Sequence, residues 1–376
     1  MAAGIRTSRN GSDVAVVGGG LVGLAVALGI QEKGQQVTIY DEGDIAFRAS
    51  RGNFGLVWVQ GKGDSYPAYA NLSRLSARLW GDMAASLEES TGIDLQLSQK
   101  GGLFVCLSES ELSQRANMLD QMAANHSEGY PFEVLDHQQL KEMVPEIGPE
   151  VAGATWGPED GHVNPLYLMR ALLKRFTSLG GKLINSAAIN SVQPINGQFH
   201  LHSADGRYVS DKVVLAAGLG NKKLASMVGI EAPIFPNRGQ VLIAERVKHF
   251  LDYPTGHVRQ TAEGTIQCGD SKEDVGFDSG TTTDVIADIA RRAVTMFPLL
   301  KDVRLIRSWG ALRIMTPDGH PIYQQSEEFP GAFLVTCHSG VTLAAAHAGP
   351  IADWIAEGNP DPVLNLEKFH ANRFQV

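Results

Sequence analysis

A glycine turn near the start of the chain restricts its folding more than any other feature. Asp13-Val14-Ala15-Val16-Val17 is a short β-branched run, as a buried parallel strand requires. It leads directly into Gly18-Gly19-Gly20-Leu21-Val22-Gly23, a match to G-x-G-x-x-G. Leu21, Leu24, Ala25 and Leu28 recur at i, i+3, i+4 and i+7, which predicts a helix beginning at the glycines, and Gly34 is placed to end it. Val37-Thr38-Ile39-Tyr40 reads as the second strand, with Asp41 at its end. Strand, glycine turn, helix, strand and terminal acid are the parts of a dinucleotide-binding βαβ unit. Gly18 permits the tight turn, Gly20 lets a pyrophosphate approach the backbone, and Gly23 lets helix and strand pack closely. The helix start, with Leu21 and Val22 in its first turn, offers N–H groups and a partial positive charge to phosphates. Asp41 is placed to accept hydrogen bonds from a ribose.

Composition narrows the partners. Of 376 residues, 43% are hydrophobic and 19% charged, with no long charged or Pro/Ser tract, which rules out a disordered chain. At roughly 100–200 residues per domain, this length predicts one large or two interleaved domains. Glycine accounts for 41 residues, above the usual ~7% and without a collagen period, which points to many tight turns and close backbone approaches. The formal charge is −9, and no basic stripe occurs, which argues against nucleic acid as a partner. Cys106, Cys268 and Cys337 are far apart without a C-x-x-C, and the histidines include no H-E-x-x-H. Neither a disulfide framework nor a zinc or iron–sulfur site is therefore expected, and no bound metal. Arg6 and Arg9 before the apolar stretch 14–30 read at first like a signal peptide, but Gly18, Gly19, Gly20 and Gly23 interrupt the stretch and no small-residue cleavage pattern follows. The expectation is a cytoplasmic protein with a short N-terminal arm and no transmembrane segment.

The fingerprint alone does not separate NAD from FAD. No second G-x-G-x-x-G occurs, which disfavours a two-dinucleotide reductase. Lys212-Val213-Val214-Leu215-Ala216-Ala217-Gly218-Leu219-Gly220 reads as a buried strand ending in small residues, after Ile189-Asn190-Ser191-Val192 and a hairpin-like stretch at Asp205-Gly206. Such a late strand returning to the first sheet suits the longer FAD, which is enclosed from several chain segments.

Five further segments bear on the family. They are Ala49-Ser50-Arg51-Gly52-Asn53-Phe54-Gly55, Asp160-Gly161-His162-Val163-Asn164-Pro165, Arg238-Gly239-Gln240, the run from Trp309 to Gly319 and the run from Cys337 to Ala344. Through them the chain resembles the D-amino acid oxidase and glycine oxidase superfamily of flavoproteins, nearly end to end from Val14 to about Asp353. Within it, Cys337-His338-Ser339-Gly340-Val341-Thr342-Leu343 and Arg51-Gly52-Asn53-Phe54-Gly55-Leu56-Val57 look most like the flavin subunits of opine oxidases, D-hydroxyproline dehydrogenase and hydrogen cyanide synthase. Ile314 stands where the family usually has proline, and the His338-Ser339-Gly340 loop lacks the extra glycine common in the oxidases.

The resemblance implies an α/β fold: a Rossmann-like FAD-binding domain of the glutathione-reductase type with a second, mixed-sheet substrate domain. The FAD domain would be discontinuous, over 13–85, 150–225 and 310–376, with 86–149 and 226–309 forming the substrate domain. Helices are expected over 110–125 and 284–296, and strands over 104–107, 241–244 and 265–268. Ser50 and Arg51 would contact the pyrophosphate, and Asn53, Gly55 and Leu56 would run beside the flavin. Ile189 falls where the family's backbone contacts adenine, and Ala217 and Gly218 would also line the cofactor. A helix from Gly340 through Trp354 would present Gly340, Val341 and Thr342 to the flavin, where N–H groups stabilise negative charge on the reduced ring.

Members of this family remove hydride from the carbon bearing an amine and pass it to flavin N5. Arg313 falls at the position that grips the substrate carboxylate, a task suited to the guanidinium fork. Its other reading is a salt bridge to Asp318 or another acid. His338 would lie near the flavin, or else cap a turn. Lys62 reads as a solvated loop lysine, its other reading a place near the flavin, and His162, His257 and Tyr66 read as packing or surface residues. Cys337 reads as a buried free thiol. The resemblance further implies a partner chain carrying an iron–sulfur cluster, and it allows a second flavin, FMN, at a subunit interface, for which no motif is visible. The leading expectation is an FAD-dependent dehydrogenase acting on an opine or a cyclic imino acid. The rivals are a stand-alone oxidase using oxygen, a non-catalytic FAD electron-relay subunit and an NAD dehydrogenase.

Overall fold

The computed structural model describes residues 12–43, 49–126 and 129–374. Arg6 and Arg9 lie outside the described residues. The chain opens with β1 (Ser12–Val17), α1 (Leu21–Glu32), β2 (Val37–Tyr40), β3 (Leu56–Val57), α2 (Pro67–Thr91), β4 (Gly102–Cys106), α3 (Glu109–Ala124), β5 (Glu133–Asp136) and α4 (His137–Met143). It continues through β6 (Gly153–Gly157), β7 (Gly161–His162), α5 (Pro165–Ser178), β8 (Lys182–Ile184), β9 (Ser191–Ile195), β10 (Gln198–His202), β11 (Arg207–Leu215) and α6 (Asn221–Leu224). The last part holds β12 (Phe235–Arg246), β13 (Val258–Gln260), β14 (Thr265–Gly269), α7 (Thr283–Met296), β15 (Leu305–Met315), β16 (Ile322–Gln325), β17 (Ala332–Thr336), α8 (Ala344–Ala346) and α9 (Ala352–Glu357).

The first sheet has the order β16-β17-β11-β1-β2-β8, and its pairs are parallel except β16–β17. β9 and β10 form a meander on the N-terminal half of β11, closed by the turn in which the Ser203 amide donates to the Gly206 carbonyl. This is the hairpin read at Asp205-Gly206. β1 sits centrally, and its side chains alternate between two cores. Val14 and Val16 pack with α1, while Ala15 and Val17 pack with β10 and β11. A continuous apolar strand is thus buried on both faces, as parallel sheets demand. Helix α1 is buried over Leu21 and every residue from Gly23 to Ile30, because α5, α9 and the C-terminal turn all cover it.

A second set of strands forms antiparallel sheets in the orders β13-β14-β12-β15 and β4-β6-β5. A parallel bridge from Leu103 to Thr255 joins them into one mixed layer. Beneath it Leu103, Leu242, Ile266, Met296 and Phe297 form a third core. The expected helices appear within a residue of their ends, and β12 is far longer than the stretch 241–244, because β15 pairs along nearly its whole length.

The expected continuous helix after Gly340 is broken. α8 ends at Ala346, a π-turn spans His347–Ile351 with Gly349 outside helical geometry, and α9 follows. Pro350 lies inside this segment and lacks the N–H that an α-helix needs. The break lets the Ala348 carbonyl approach α1: a Cβ at Gly29 would lie 2.0 Å from it. A cleft of about 610 Å³, lined by Gln325, Trp354, Asp361, Leu366 and His370 among others, contains none of the candidate catalytic or cofactor-binding residues.

Candidate active site

The glycine turn is closed to side chains by backbone. Gly18 has a φ of +109°, and a Cβ on it would meet the Ala216 carbonyl oxygen at 2.4 Å. A Cβ on Gly23 would meet the Gly18 carbonyl oxygen at 1.9 Å. Gly20, the N-cap of α1, has extended backbone and faces Ser50 Oγ. The Leu21 amide donates to Ser50 Oγ at 2.9 Å, and the Gly19 amide donates to Asp41 Oδ2 at 2.7 Å. Asp41 Oδ1 accepts from the Gly43 amide at 2.9 Å. Asp41 therefore holds the turn at the strand ends, with Ala187 bonded to its carbonyl. Ile189 and Ala217 pack on the core that includes Tyr40 and Val17.

The segment 50–57 then crosses to the second sheet. Asn53 Oδ1 accepts from the Gly55 amide at 2.6 Å, and Leu56 pairs with His162. Gly52 passes so close to β15 that a Cβ would lie 2.3 Å from that of Ala311, and Trp309 Nε1 donates to the Gly52 carbonyl at 3.2 Å. Phe54 lies against Gly269. Arg51 is exposed.

The C-terminal loop closes on the same place. A Cβ at Gly340 would stand 3.4 Å from Val22 Cγ2, so this loop meets the first turn of α1. Thr342 Oγ1 accepts from the Trp58 amide at 3.1 Å and donates to the Leu56 carbonyl at 3.3 Å. The Val341 and Thr342 carbonyls are taken by Trp80 Nε1, and that of Thr342 also by Ser76 Oγ. The Leu343 amide donates to the Ser339 carbonyl, so a helical turn begins here, and the amides of 340–342 are its first-turn donors, without acceptors inside the turn.

Lys62 corrects the reading of a solvated loop lysine. It is partly buried, and its ammonium donates to Ser339 Oγ. Burial lowers its pKa to about 8. The loop carrying it is held by a buried polar clasp: Asp160 accepts from the Gln60 amide and from Gln60 Nε2, Thr155 donates to Gln60 Oε1 at 2.7 Å, and Arg115 donates to the Gln60 carbonyl at 2.9 Å. Sequence reasoning ranks the solvated loop first because the groups that enclose this lysine come from chain segments far from it.

Ser339 fixes the state of His338. Its hydroxyl accepts from Lys62 and, at 2.7 Å, from Tyr69, so its own hydrogen goes to His338 Nδ1 at 3.1 Å. His338 is then neutral, with the hydrogen on Nε2. Burial first, with Lys62, Arg313 and Lys272 adding to it, holds its pKa well below the usual value. The ring keeps accessible surface while its Nδ1 is held by Ser339. Cys337, next to it, is a free buried thiol pushed up to about 12.

Arg313 lies near the C-terminal end of β15, close enough for its charge to act on His338 and Lys62. Its Nη1 donates to Asn237 Oδ1 at 3.1 Å and to the Ser271 carbonyl at 2.8 Å, and its Nη2 pairs with Asp270. The acid it meets is thus Asp270, not Asp318, which pairs with Arg373 at 2.7 Å. A guanidinium has five N–H donors. Among the described residues, two of them, on Nε and Nη2, keep no partner. His162 and His257 are lowered by burial to about 3 and about 4, and the Tyr66 hydroxyl is bonded to the Lys368 carbonyl.

Comparison with known proteins places this geometry in a family. The FAD dependent oxidoreductase (DAO) family model matches residues 13–354, and the chain belongs to that family. It is 42% identical over 365 residues to an opine oxidase subunit from Agrobacterium tumefaciens (strain Ach5), covering 97% of this chain and 98% of that one. It is 24% identical over 373 residues to glycine oxidase of Bacillus licheniformis, covering 96% and 97%. The crystal structure of glycine oxidase from Geobacillus kaustophilus matches the fold with a TM-score of 0.90 at 24% identity, covering 97% of this chain and 99% of that one. The chain is an FAD-dependent oxidoreductase, and the glycine cradle that backbone oxygens close to any Cβ fits the pyrophosphate of that cofactor. Among the described residues no helix is long and apolar enough to cross a membrane.

Proposed function

We propose that the chain is the flavin-bearing subunit of a cytoplasmic dehydrogenase that oxidises the C–N bond of an N-substituted amino acid, an opine or a cyclic imino acid such as D-hydroxyproline. The observation that carries this reading is the linked set Lys62–Ser339–His338 on the loop that meets the first turn of α1, with the Arg313 guanidinium on β15 acting on both Lys62 and His338 by its charge. The FAD pyrophosphate would rest on Gly18, Gly20 and Gly23 and the Val22 amide, with Arg51 beside it and Ser50, whose Oγ holds the Leu21 amide, turning its own hydroxyl hydrogen to the phosphate. Asp41 would take the ribose, Ile189 the adenine, and Ala217 and Gly218 would also line the cofactor. Asn53, Gly55, Leu56, Gly340, Val341 and Thr342 would hold the ring system. When bound, the flavin accepts hydride from the substrate carbon at N5.

The chain's own residues position and polarise. Arg313 would grip the substrate carboxylate with its two remaining donors, fixing the C–H bond toward the ring. His338, neutral and carrying its hydrogen on Nε2, supplies a hydrogen-bond donor, and Lys62 a fixed positive charge behind it. Negative charge developing on the ring would be met by these groups and by the amides of 340–342. The substrate amine needs no protein base, since a neutral amine loses hydride directly.

Electrons would pass to a partner chain bearing an iron–sulfur cluster, with a second flavin, FMN, at the interface. The relative aligned along 98% of its length is itself named as one subunit of its enzyme. The three cysteines here lie in β4, in β14 and after β17, so this chain brings no cluster ligands together. The test is anaerobic mixing of the FAD-loaded chain with opines, cyclic imino acids, D-amino acids and glycine. Bleaching of the flavin by the first two groups is expected, with slow peroxide formation in air. Bleaching by glycine alone with fast peroxide formation would establish a stand-alone oxidase, and no bleaching by any of them a relay subunit.

A further inference from the structure

Resting on the proposed placement of the ring system against Asn53, Gly55 and Leu56, we infer that Arg259 is a buried cation without a counter-charge that raises the reduction potential of the bound flavin.

Arg259 is the middle residue of β13 and only 2% exposed. A buried guanidinium ordinarily meets a carboxylate, because an unpaired charge withdrawn from water is costly. Here every polar neighbour is neutral. Nε donates to Gln267 Oε1 at 2.7 Å, Nη1 donates to the Val163 carbonyl at 2.6 Å, and His162 Nδ1 lies 3.4 Å from Nη1. Burial, with the Arg259 charge adding to it, lowers the His162 pKa to about 3, so that ring stays uncharged. Among the described residues Arg259 has no ion pair, and Nη2 keeps no partner. Glu263, the acid whose charge reaches it, is exposed and accepts from Gln96 Nε2 at 2.6 Å. Burial lowers the Arg259 pKa to about 10, which leaves the group charged at neutral pH.

This charge is set against one piece of backbone. A Cβ on Gly55 would lie 2.6 Å from Arg259 Nη1 and 3.0 Å from Cζ, so the guanidinium packs directly on the turn that Asn53 Oδ1 closes. The Gly55 carbonyl accepts from the Val163 amide at 2.9 Å, and Leu56 pairs with His162. Arg259 thus packs on one side of the β3–β7 ribbon and bonds to the other. A tie between ribbon and sheet would explain the contacts but not the missing acid: β14 offers Gln267 where a glutamate of the same shape would neutralise the guanidinium. A net positive charge is therefore kept in the interior, at the segment assigned to the flavin ring. Hydride brings two electrons and one proton to that ring, which thereby gains one negative charge. At low dielectric constant a fixed cation nearby stabilises the reduced form over the oxidised one, and the potential rises.

The experiment uses the full-length, FAD-loaded protein, reduced by dithionite at pH 7 in equilibrium with a redox dye of known potential. Arg259→Met removes the charge. Gln267→Glu keeps the side-chain shape and the bond from Nε, and adds the counter-charge, so a purely structural tie would survive it. Each should lower the equilibrium constant for flavin reduction at least tenfold, a fall of about 30 mV for this two-electron couple. Where Arg259→Met does not retain flavin, Gln267→Glu decides alone. A wild-type potential in either flavin-loaded variant, or loss of flavin from both, overturns the inference and leaves Arg259 as a structural tie. Dithionite reduction uses no substrate, so the result is independent of the bleaching test. Bleaching of wild type by opines with unchanged potentials in the variants removes this inference and leaves the proposed function standing. Lowered potentials without bleaching by any candidate substrate do the reverse.

Discussion

Lys62 donates its ammonium hydrogen to the hydroxyl of Ser339, 277 positions away in the chain. The bond ties the loop after β3 to the loop that precedes α8 and leaves a cation beside His338. Withdrawal from water sets the Lys62 pKa at about 8. The ammonium is thus charged below that pH and neutral above it. Affinity of the FAD-loaded protein for an inert carboxylate, read from the flavin spectrum, should therefore fall as pH rises through about 8 or somewhat higher, since a bound anion itself stabilises the ammonium. Lys62→Met should flatten that limb. A limb unchanged in Lys62→Met would place its origin in another group.

Gly23 tests the cradle. The atom that a Cβ would strike at 1.9 Å is the Gly18 carbonyl oxygen, which is backbone and cannot turn away. Gly23→Ala should force β1 and α1 apart, at a cost of about 1–3 kcal/mol. The purified variant should melt lower and lack the flavin absorption band. Gly20→Ala meets only the Ser50 hydroxyl, at 3.0 Å, and should lose less of both.

Thr342 joins β3 to the C-terminal loop through a single oxygen atom. Thr342→Val keeps the shape but leaves the buried Trp58 N–H without its acceptor, a loss of about 1–3 kcal/mol. Thr342→Ser should recover most of the stability. Urea denaturation of the three proteins gives the comparison, and equal midpoints for Thr342→Val and wild type would mean that the bond contributes nothing.

The contrast between Gly23 and Lys62 explains what could be read without coordinates. The βαβ unit is local, so strand periodicity, glycine spacing and the acid at the end of β2 all speak within thirty residues. The motif around Trp309 was legible for the same reason. What Arg313 and Lys62 touch was not. Asp318 lies five positions from Arg313 and is the acid that chain order suggests, yet a turn at Thr316–Gly319 carries it away to Arg373, and Asp270 arrives from β14 instead. Lys62 looks like a loop lysine because nothing adjacent to it is apolar, and Ser339 and Tyr69 enclose it only in the fold. The break at Gly349-Pro350 was written in the sequence, but the alanines around it suggested continuity.

Asp160 should leave a mark on the pH dependence of stability. Burial raises its pKa to about 7, against hydrogen bonds from Val59 and Gln60 that act in the other direction. Between the ordinary aspartate value near ~4 and about 7, the folded protein holds a proton that the unfolded chain has released, so this group's contribution falls as pH rises through that window. Other carboxylates, such as Glu273 with its pKa lowered to about 2, oppose it, so the comparison must be with a variant. Relative to Asp160→Asn, wild type should lose stability between pH 4.5 and 7.5 in urea titrations. A difference constant with pH would show that the carboxyl is ionised throughout.

Arg313 carries the functional reading. Its guanidinium is only 18% exposed and rests on Asn237, the Ser271 carbonyl and Asp270. Truncating it would remove the proposed carboxylate anchor and leaves Asp270 without its partner, and breaking such a charge pair costs about 2–5 kcal/mol. Arg313→Ala should therefore lower kcat/KM for a carboxylate substrate by at least thirtyfold. The proposed FAD cradle of β1, α1 and the Ser50 loop does not include Arg313, so flavin content should hold. Arg313→Lys keeps the charge but not the fork, and should recover binding in part while orientation, and hence kcat, stays impaired. A substrate whose carboxylate is replaced by an amide should show the same kcat/KM with wild type and with Arg313→Ala. Equal losses for acid and amide would mean that Arg313 supports the sheet through Asn237 and Ser271 and does not touch the substrate.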